Sequence, residues 1–204
     1  MGHYTYKCTL AGVQNMLTKF RLNMLNREAS NPKSKPQKII ESLKINEGMV
    51  VGDIGSGGGF FAEEFSNKVS NKGFVYAIDV KQENLNYIKD VFNKKGIVNV
   101  NLIKANPHKI DLPEGSVDLF FMRNVVHHLH QQVEYFKNLR KLLKSKGKVA
   151  IIDYKNRKLS FTGLFGHYTR VNDLIDMMDN AGFYPLEEYD FLPDQLFIIF
   201  ALKS

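Results

Sequence analysis

One aspartate and three alternating glycines share a short stretch, Asp53-x-Gly55-x-Gly57-x-Gly59. Glycine lets the backbone turn sharply and come close to a ligand. A helix opening just after the turn would aim its unpaired N–H groups at the same place. The acid two residues ahead of the first glycine suits a ligand with a cationic or donor group, reached directly or through water. The alternative is that Asp53 only ties down the turn. The dinucleotide-binding fingerprint needs glycine at its first, third and sixth positions. The sixth position here is Phe60, so that fingerprint fails. A P-loop fails as well, because no Gly-Lys-Ser/Thr follows the glycines. Asp79 stands 79 − 59 = 20 residues beyond the last glycine. An acid there can accept from both hydroxyls of a ribose, or it can cap the following helix. The run His127-His128-Leu129-His130 groups several ring nitrogens, but its spacing matches no common zinc motif. No metal is expected. If a proton must be removed during chemistry, the candidate bases are His127, His128, Tyr154 and His167.

These residues need a scaffold, and the hydrophobic pattern supplies one. Short apolar runs at 49–54, 74–78, 98–105, 117–122 and 148–154 read as strands. Between them, 60–69, 83–93 and 133–143 have helical spacing. Strands alternating with helices imply right-handed crossovers and an α/β, doubly wound, mostly parallel sheet. After a helix at 174–181 come two more strands, 183–191 and 195–202, joined by a few residues around Pro193-Asp194. So short a link makes an antiparallel C-terminal hairpin and brings the sheet to seven strands. In such sheets ligands bind beyond the carboxyl ends of the strands, where strand order reverses. Asp53, Asp79, Asn106, Arg123 and Tyr154 all fall at or just after predicted strand ends. Ahead of the sheet, residues 10–28 suggest a helix. Asn31 to Pro36 break it, and a short helix follows to about Leu43. Nothing marks a linker. The expectation is one domain over 1–204, with 1–45 as a helical cover and 46–204 as the core.

Composition sets bounds. With 204 residues, 44% hydrophobic and 24% charged, the chain is of ordinary globular make-up. One cysteine, Cys8, excludes a disulfide framework and a Cys-rich zinc site. The opening residues lack the unbroken apolar core of a signal peptide. No run approaches a membrane span, so a cytoplasmic protein is expected. The net charge of +7 favours polyanions weakly. Lys137, Lys141 and Lys144 lie opposite the apolar face of their helix, as on any solvated surface.

Four segments carry a resemblance: Val51 to Phe60, Val75 to Asp79, Ser116 to Leu129 and Gly147 to Asp153. In that order they resemble the class I S-adenosylmethionine-dependent methyltransferases, and in particular the small-molecule branch with quinone and arsenite methyltransferases. The resemblance is strong over about 49–154, weaker over 170–203, and does not reach the first forty or so residues. It implies a Rossmann-like fold and S-adenosylmethionine as cofactor, leaving S-adenosylhomocysteine. It implies that Gly55, Ser56 and Gly57 wrap the methionine part, with Asp53 and Gly59 in the same loop. Asp79 would hold the ribose and Val80 would pack on the adenine. Asn106 and Pro107 would line the adenine pocket, although the family usually has an acid at the first of these. Arg123 would lie under the cofactor through its backbone. Gly52 stands where the family commonly has a larger apolar residue.

The expected activity is in-line methyl transfer to a small-molecule acceptor, with His128, His167 and Tyr154 as catalytic candidates. The arsenite branch uses several cysteines, so the single Cys8 counts against arsenite. A loop from Gly163 to Tyr168, carrying His167, is a candidate lid. Tyr4, Tyr6 and the segment after them are candidates for a cover over the pocket. The alternatives are an RNA or protein methyltransferase, and a cofactor-binding regulatory protein without turnover. Nucleic acid is disfavoured by the lack of an Asn-Pro-Pro-Tyr type of sequence after the fourth strand, where Met122-Arg-Asn-Val125 stands. A monomer or a homodimer fits.

Overall fold

The computed structural model describes residues 3–106, 108–155 and 169–203, with side chains from residue 12 onward. Pro107, His167, the candidate lid around it and the side chains of Tyr4 and Tyr6 lie outside the described residues. A single sheet organises the chain. Its strands are β1 (Val50–Ile54), β2 (Phe74–Asp79), β3 (Val100–Lys104), β4 (Val117–Arg123), β5 (Leu143–Tyr154), β6 (Phe183–Tyr189) and β7 (Gln195–Leu202). The order is β3-β2-β1-β4-β5-β7-β6. The first five strands run parallel to their neighbours, and β7 is antiparallel to both β5 and β6. This is the doubly wound sheet with a terminal hairpin that the strand pattern implies.

Helices cover both faces, so the central strands are apolar on both sides. On β4, Leu119 and Phe121 meet one core, and Phe120 and Met122 meet the other. The first core takes α2 (Pro36–Ser42), α3 (Phe60–Val69) and α4 (Gln82–Lys95), through residues such as Ile39, Phe65 and Phe92. The second takes α5 (Gln132–Leu142) and α6 (Val171–Asn180), through Phe136, Leu139, Leu174 and Met178. Gly52 has a packing reason: a Cβ there would lie 2.5 Å from the ring of Phe120.

Two elements start five residues or more ahead of their sequence-based bounds. β5 starts at Leu143, five residues before the apolar run, because Leu143 pairs with Val117 ahead of a register shift. Lys144 sits in that extension and donates to Asp118 at 2.7 Å, so its polar residues belong to a strand end facing water. The first helix, α1 (His3–Ser30), is 28 residues long. It ends where expected: the Asn31 side chain accepts from Lys33 N, and Pro32 opens a 3-10 turn.

Strand order reverses between β1 and β4. The carboxyl ends of β1, β2 and β4 therefore open a crevice at that point.

Candidate active site

The turn after β1 is fixed from two sides. Gly55 N and Ser56 N both donate to Ile78 O of β2, at 2.8 and 3.1 Å. Ser56 Oγ donates to Asp53 O at 2.7 Å. Gly55 has φ +75°, and a Cβ there would fall 2.4 Å from Val125 Cγ2. Only glycine meets both demands. Gly59 is the N-cap residue of α3 and lies behind the turn rather than on the crevice wall.

Two acids face one another across this turn. Asp79, at the end of β2, is buried. Its Oδ2 accepts from Gly57 N at 3.1 Å and from Asn84 Nδ2 at 3.0 Å, and its Oδ1 accepts from Lys81 N at 2.9 Å. It thus ties the glycine turn to the start of α4 and still lines the cavity. Asp53 is only 3% exposed, and its Oδ2 has no hydrogen-bond partner. Burial pushes its carboxyl up to about 7, and the Asp79 carboxylate adds to the rise. A buried carboxylate oxygen without a donor is costly. A cationic or N–H-bearing ligand group at this place would remove that cost.

A third wall comes from β4 and the chain beyond it. The Arg123 guanidinium lies 5.5 Å over the Phe61 ring and donates from Nη2 to Gln195 Oε1 at 3.1 Å. Its Nε and Nη1 are buried and have no hydrogen-bond partner among the described residues. Burial lowers its pKa, against the opposing pull of Tyr154 and Glu28. His128 lines the same cavity, with its ring 4.0 Å from that of His127. His127 Nδ1 in turn lies 2.7 Å from Asp153 Oδ1. Asp153 is fully buried at the end of β5 and also accepts from His127 N, Tyr154 N and Thr169 Oγ1.

The last wall is α1. Leu25, Asn26, Glu28 and Ala29 line the cavity. Asn26 Nδ2 donates to Gly58 O at 2.9 Å. Arg21 Nη2 donates to Asn84 Oδ1 at 2.7 Å, so α1 also touches the partner of Asp79. The cavity measures about 560 Å³, within the range of small-molecule sites.

Of the residues singled out in the sequence, Asp53, Gly55, Ser56, Gly57, Asp79, Val80, Asn106, Arg123 and His128 line this one cavity. Gly59 and Tyr154 do not; Tyr154 Oη lies 3.5 Å from Glu28 Oε1, one residue back from the wall. Arg123 lines the cavity at the end of β4, and its guanidinium packs beside it on Phe61. The segment after Tyr6 is a candidate cover in the sequence, but its four lining residues and Asn84 are not singled out there. Asn84, five residues after Asp79 on the first turn of α4, is the one with a readable spacing. Among the described residues, no three His, Cys, Asp or Glu side chains are grouped to hold a metal.

Residues 52–151 match a family model described as a methyltransferase domain. With the sheet order and the glycine turn, this places the chain in the class I S-adenosylmethionine-dependent methyltransferases. Among curated proteins it is similar to the ubiquinone/menaquinone biosynthesis C-methyltransferase UbiE of Shewanella sediminis. The two are 26% identical over 163 residues, which is 76% of this chain and 65% of that protein. The corresponding protein of Shewanella woodyi is 28% identical over 120 residues, 58% of this chain and 48% of its own. The chain thus spans about half to two thirds of the length of these relatives. A crystal structure of a SAM-dependent methyltransferase from Aquifex aeolicus superposes with a TM-score of 0.81 at 28% identity, covering 89% of this chain and 97% of that one. A Burkholderia thailandensis 1,6-didemethyltoxoflavin-N1-methyltransferase, solved with its acceptor and S-adenosylhomocysteine, shares the fold. Its TM-score is 0.69 at 16% identity, over 100% of this chain and 92% of that one.

Proposed function

We propose that this protein methylates a small, planar, lipophilic acceptor of the quinol type, using S-adenosylmethionine. The carrying observation is the single cavity that joins the two acids at the glycine turn to an apolar wall holding Arg123 and His128. Similarity to quinone-pathway C-methyltransferases supports the acceptor class. When bound, S-adenosylmethionine supplies a methyl group on a sulfonium, a strong electrophile, so that placing the nucleophile in line gives much of the acceleration.

Each role falls to residues of this chain. Asp53 faces the ligand's ammonium, and the backbone of 55–57 follows its methionine part. The remaining lone pair of Asp79 Oδ1 takes a ribose hydroxyl. Val80 and Asn106 flank the adenine. Phe61 and Leu129 exclude water from the acceptor. Arg123 sets a positive charge on the cavity wall, which favours the ionised form of an acceptor oxygen. An ionised quinol oxygen makes the adjacent ring carbon nucleophilic. His128 removes the proton that a protonated acceptor must lose.

Calorimetric titration with S-adenosylmethionine and S-adenosylhomocysteine, beside Asp79→Ala, tests the cofactor half. Micromolar binding weakened tenfold or more, about 1.4 kcal/mol, is expected. Radiolabelled methyl transfer to a panel of quinols, catechols and amines tests the acceptor half, with quinols expected to lead. Failure of the wild type to bind either ligand overturns the reading.

A further inference from the structure

α1 has apolar residues on two opposite sides, and only one side is covered. Leu22 is fully buried against the body, with Ala29 half-buried beside it. At 3.6 residues per turn, Val13, Met16, Leu17, Phe20 and Met24 fall within an arc of about 100° on the other side. These five are 49 to 64% exposed. An apolar stripe of this length on an isolated chain marks an interaction surface. Leu25 lies between the two faces; it is 41% exposed and also lines the cavity, so the stripe runs to the mouth of the site.

Charge selects the occupant. From His3 to Arg27 the helix carries Lys7, Lys19, Arg21 and Arg27 and no acid; Glu28 is its first. Lys19 and Arg21 bracket the stripe, and the chain as a whole carries +7. A second copy would set these cations against one another, whereas an anionic bilayer would neutralise them. Among the described residues, no helix is long and apolar enough to cross a membrane. A helix with one apolar stripe and basic borders instead lies in the plane of the interface.

We propose that the outer face of α1 docks this protein on an anionic lipid bilayer and holds the cavity mouth at its surface. The proposal rests on the lipophilic-acceptor reading above, because such an acceptor partitions into the bilayer. Co-sedimentation of the full chain with vesicles of equal parts phosphatidylglycerol and phosphatidylcholine, against vesicles of phosphatidylcholine alone, tests it. Binding to the anionic vesicles is expected to be about tenfold tighter. The double variant Met16→Ser/Phe20→Ser is expected to lose about tenfold of it while keeping the wild-type circular dichroism spectrum and S-adenosylhomocysteine affinity. Absence of wild-type binding to anionic vesicles, or full retention by the double variant, overturns the proposal. So does a dimer in analytical ultracentrifugation that the same substitutions dissociate, since a second copy then covers the face. Vesicle binding needs neither cofactor nor acceptor. Its failure with cofactor binding intact sinks this proposal alone, and the reverse outcome sinks the catalytic reading alone.

Discussion

Replacing Asp53 with asparagine removes an ionisation that the fold opposes. Asp53 titrates at an ordinary 3.8 when unfolded and at about 7 in the folded protein, chiefly because burial disfavours its charge. Between those values the folded state holds a proton that the unfolded state has lost. The stability that Asp53 contributes is therefore complete below about pH 4, and it is lost as pH rises through about 7. At about 1.4 kcal/mol per tenfold change, the full span is on the order of 4 kcal/mol. The amide of Asp53→Asn cannot ionise, so the ligand-free variant should melt above the wild type at about pH 8 and close to it at about pH 4. For a chain of this size, about 2 to 4 °C per kcal/mol makes the divergence roughly 8 to 16 °C. Ligand binding should move the other way. The affinity of the wild type for S-adenosylhomocysteine should rise through about pH 7, as the carboxylate forms to meet the ligand's ammonium, and that of the variant should stay flat. Differential scanning fluorimetry and calorimetric titration across pH read both effects. Melting curves that run parallel for the two proteins would refute the burial argument.

Three further substitutions probe other parts of the site. Asp79→Ala should weaken S-adenosylhomocysteine tenfold or more by titration, and should also free the start of α4, which Asp79 caps at Lys81 N. Gly58→Ala places a Cβ 2.2 Å from Asn26 Oδ1 and 2.7 Å from Leu22 O. Overpacking of this kind costs about 1 to 3 kcal/mol, and α1 should lift, seen as faster tryptic cleavage after Arg21 and Arg27; an unchanged cleavage rate would count against α1 as a wall. Asp153→Ala leaves His127, Tyr154 N and Thr169 without their shared acceptor. Urea unfolding should show a loss of about 3 to 5 kcal/mol, and a loss under about 1 kcal/mol would refute the hub reading.

The parts of the site that are legible are those where backbone geometry dictates residue type. Gly55 must be glycine because of its φ and of Val125, so the pattern shows without any structure. Asp79 is legible because strand ends in a parallel sheet converge, and periodicity locates strand ends. Which face of α1 forms the wall is not legible for the opposite reason. Its apolar residues lie on two faces, so no single stripe tells which one meets the core, and Asn26 reaches Gly58 from 32 positions away. Arg123 illustrates a third case. Position puts it at the strand end, but only the folded structure shows its guanidinium packed on Phe61 and bonded to Gln195 of β7. The polar start of β5 escapes because residues facing water carry no alternation.

The seventh strand has a consequence for how the protein is made. β7 follows β6 in the chain but lies between β5 and β6 in the sheet. During vectorial synthesis, β6 therefore emerges with no strand to join. It waits, with Phe183 lacking its sheet neighbours, until Ile198 and Phe200 have left the ribosome. The β5 edge waits as well, along the stretch from Lys148 to Tyr154 that β7 will pair. Unpaired edges of this kind are where nascent chains associate with one another or recruit chaperones. The same late strand supplies Gln195, which holds Arg123. The Arg123–Gln195 bond beside the cavity and the sheet are thus completed in one event, so that a nascent chain stalled before β7 lacks both.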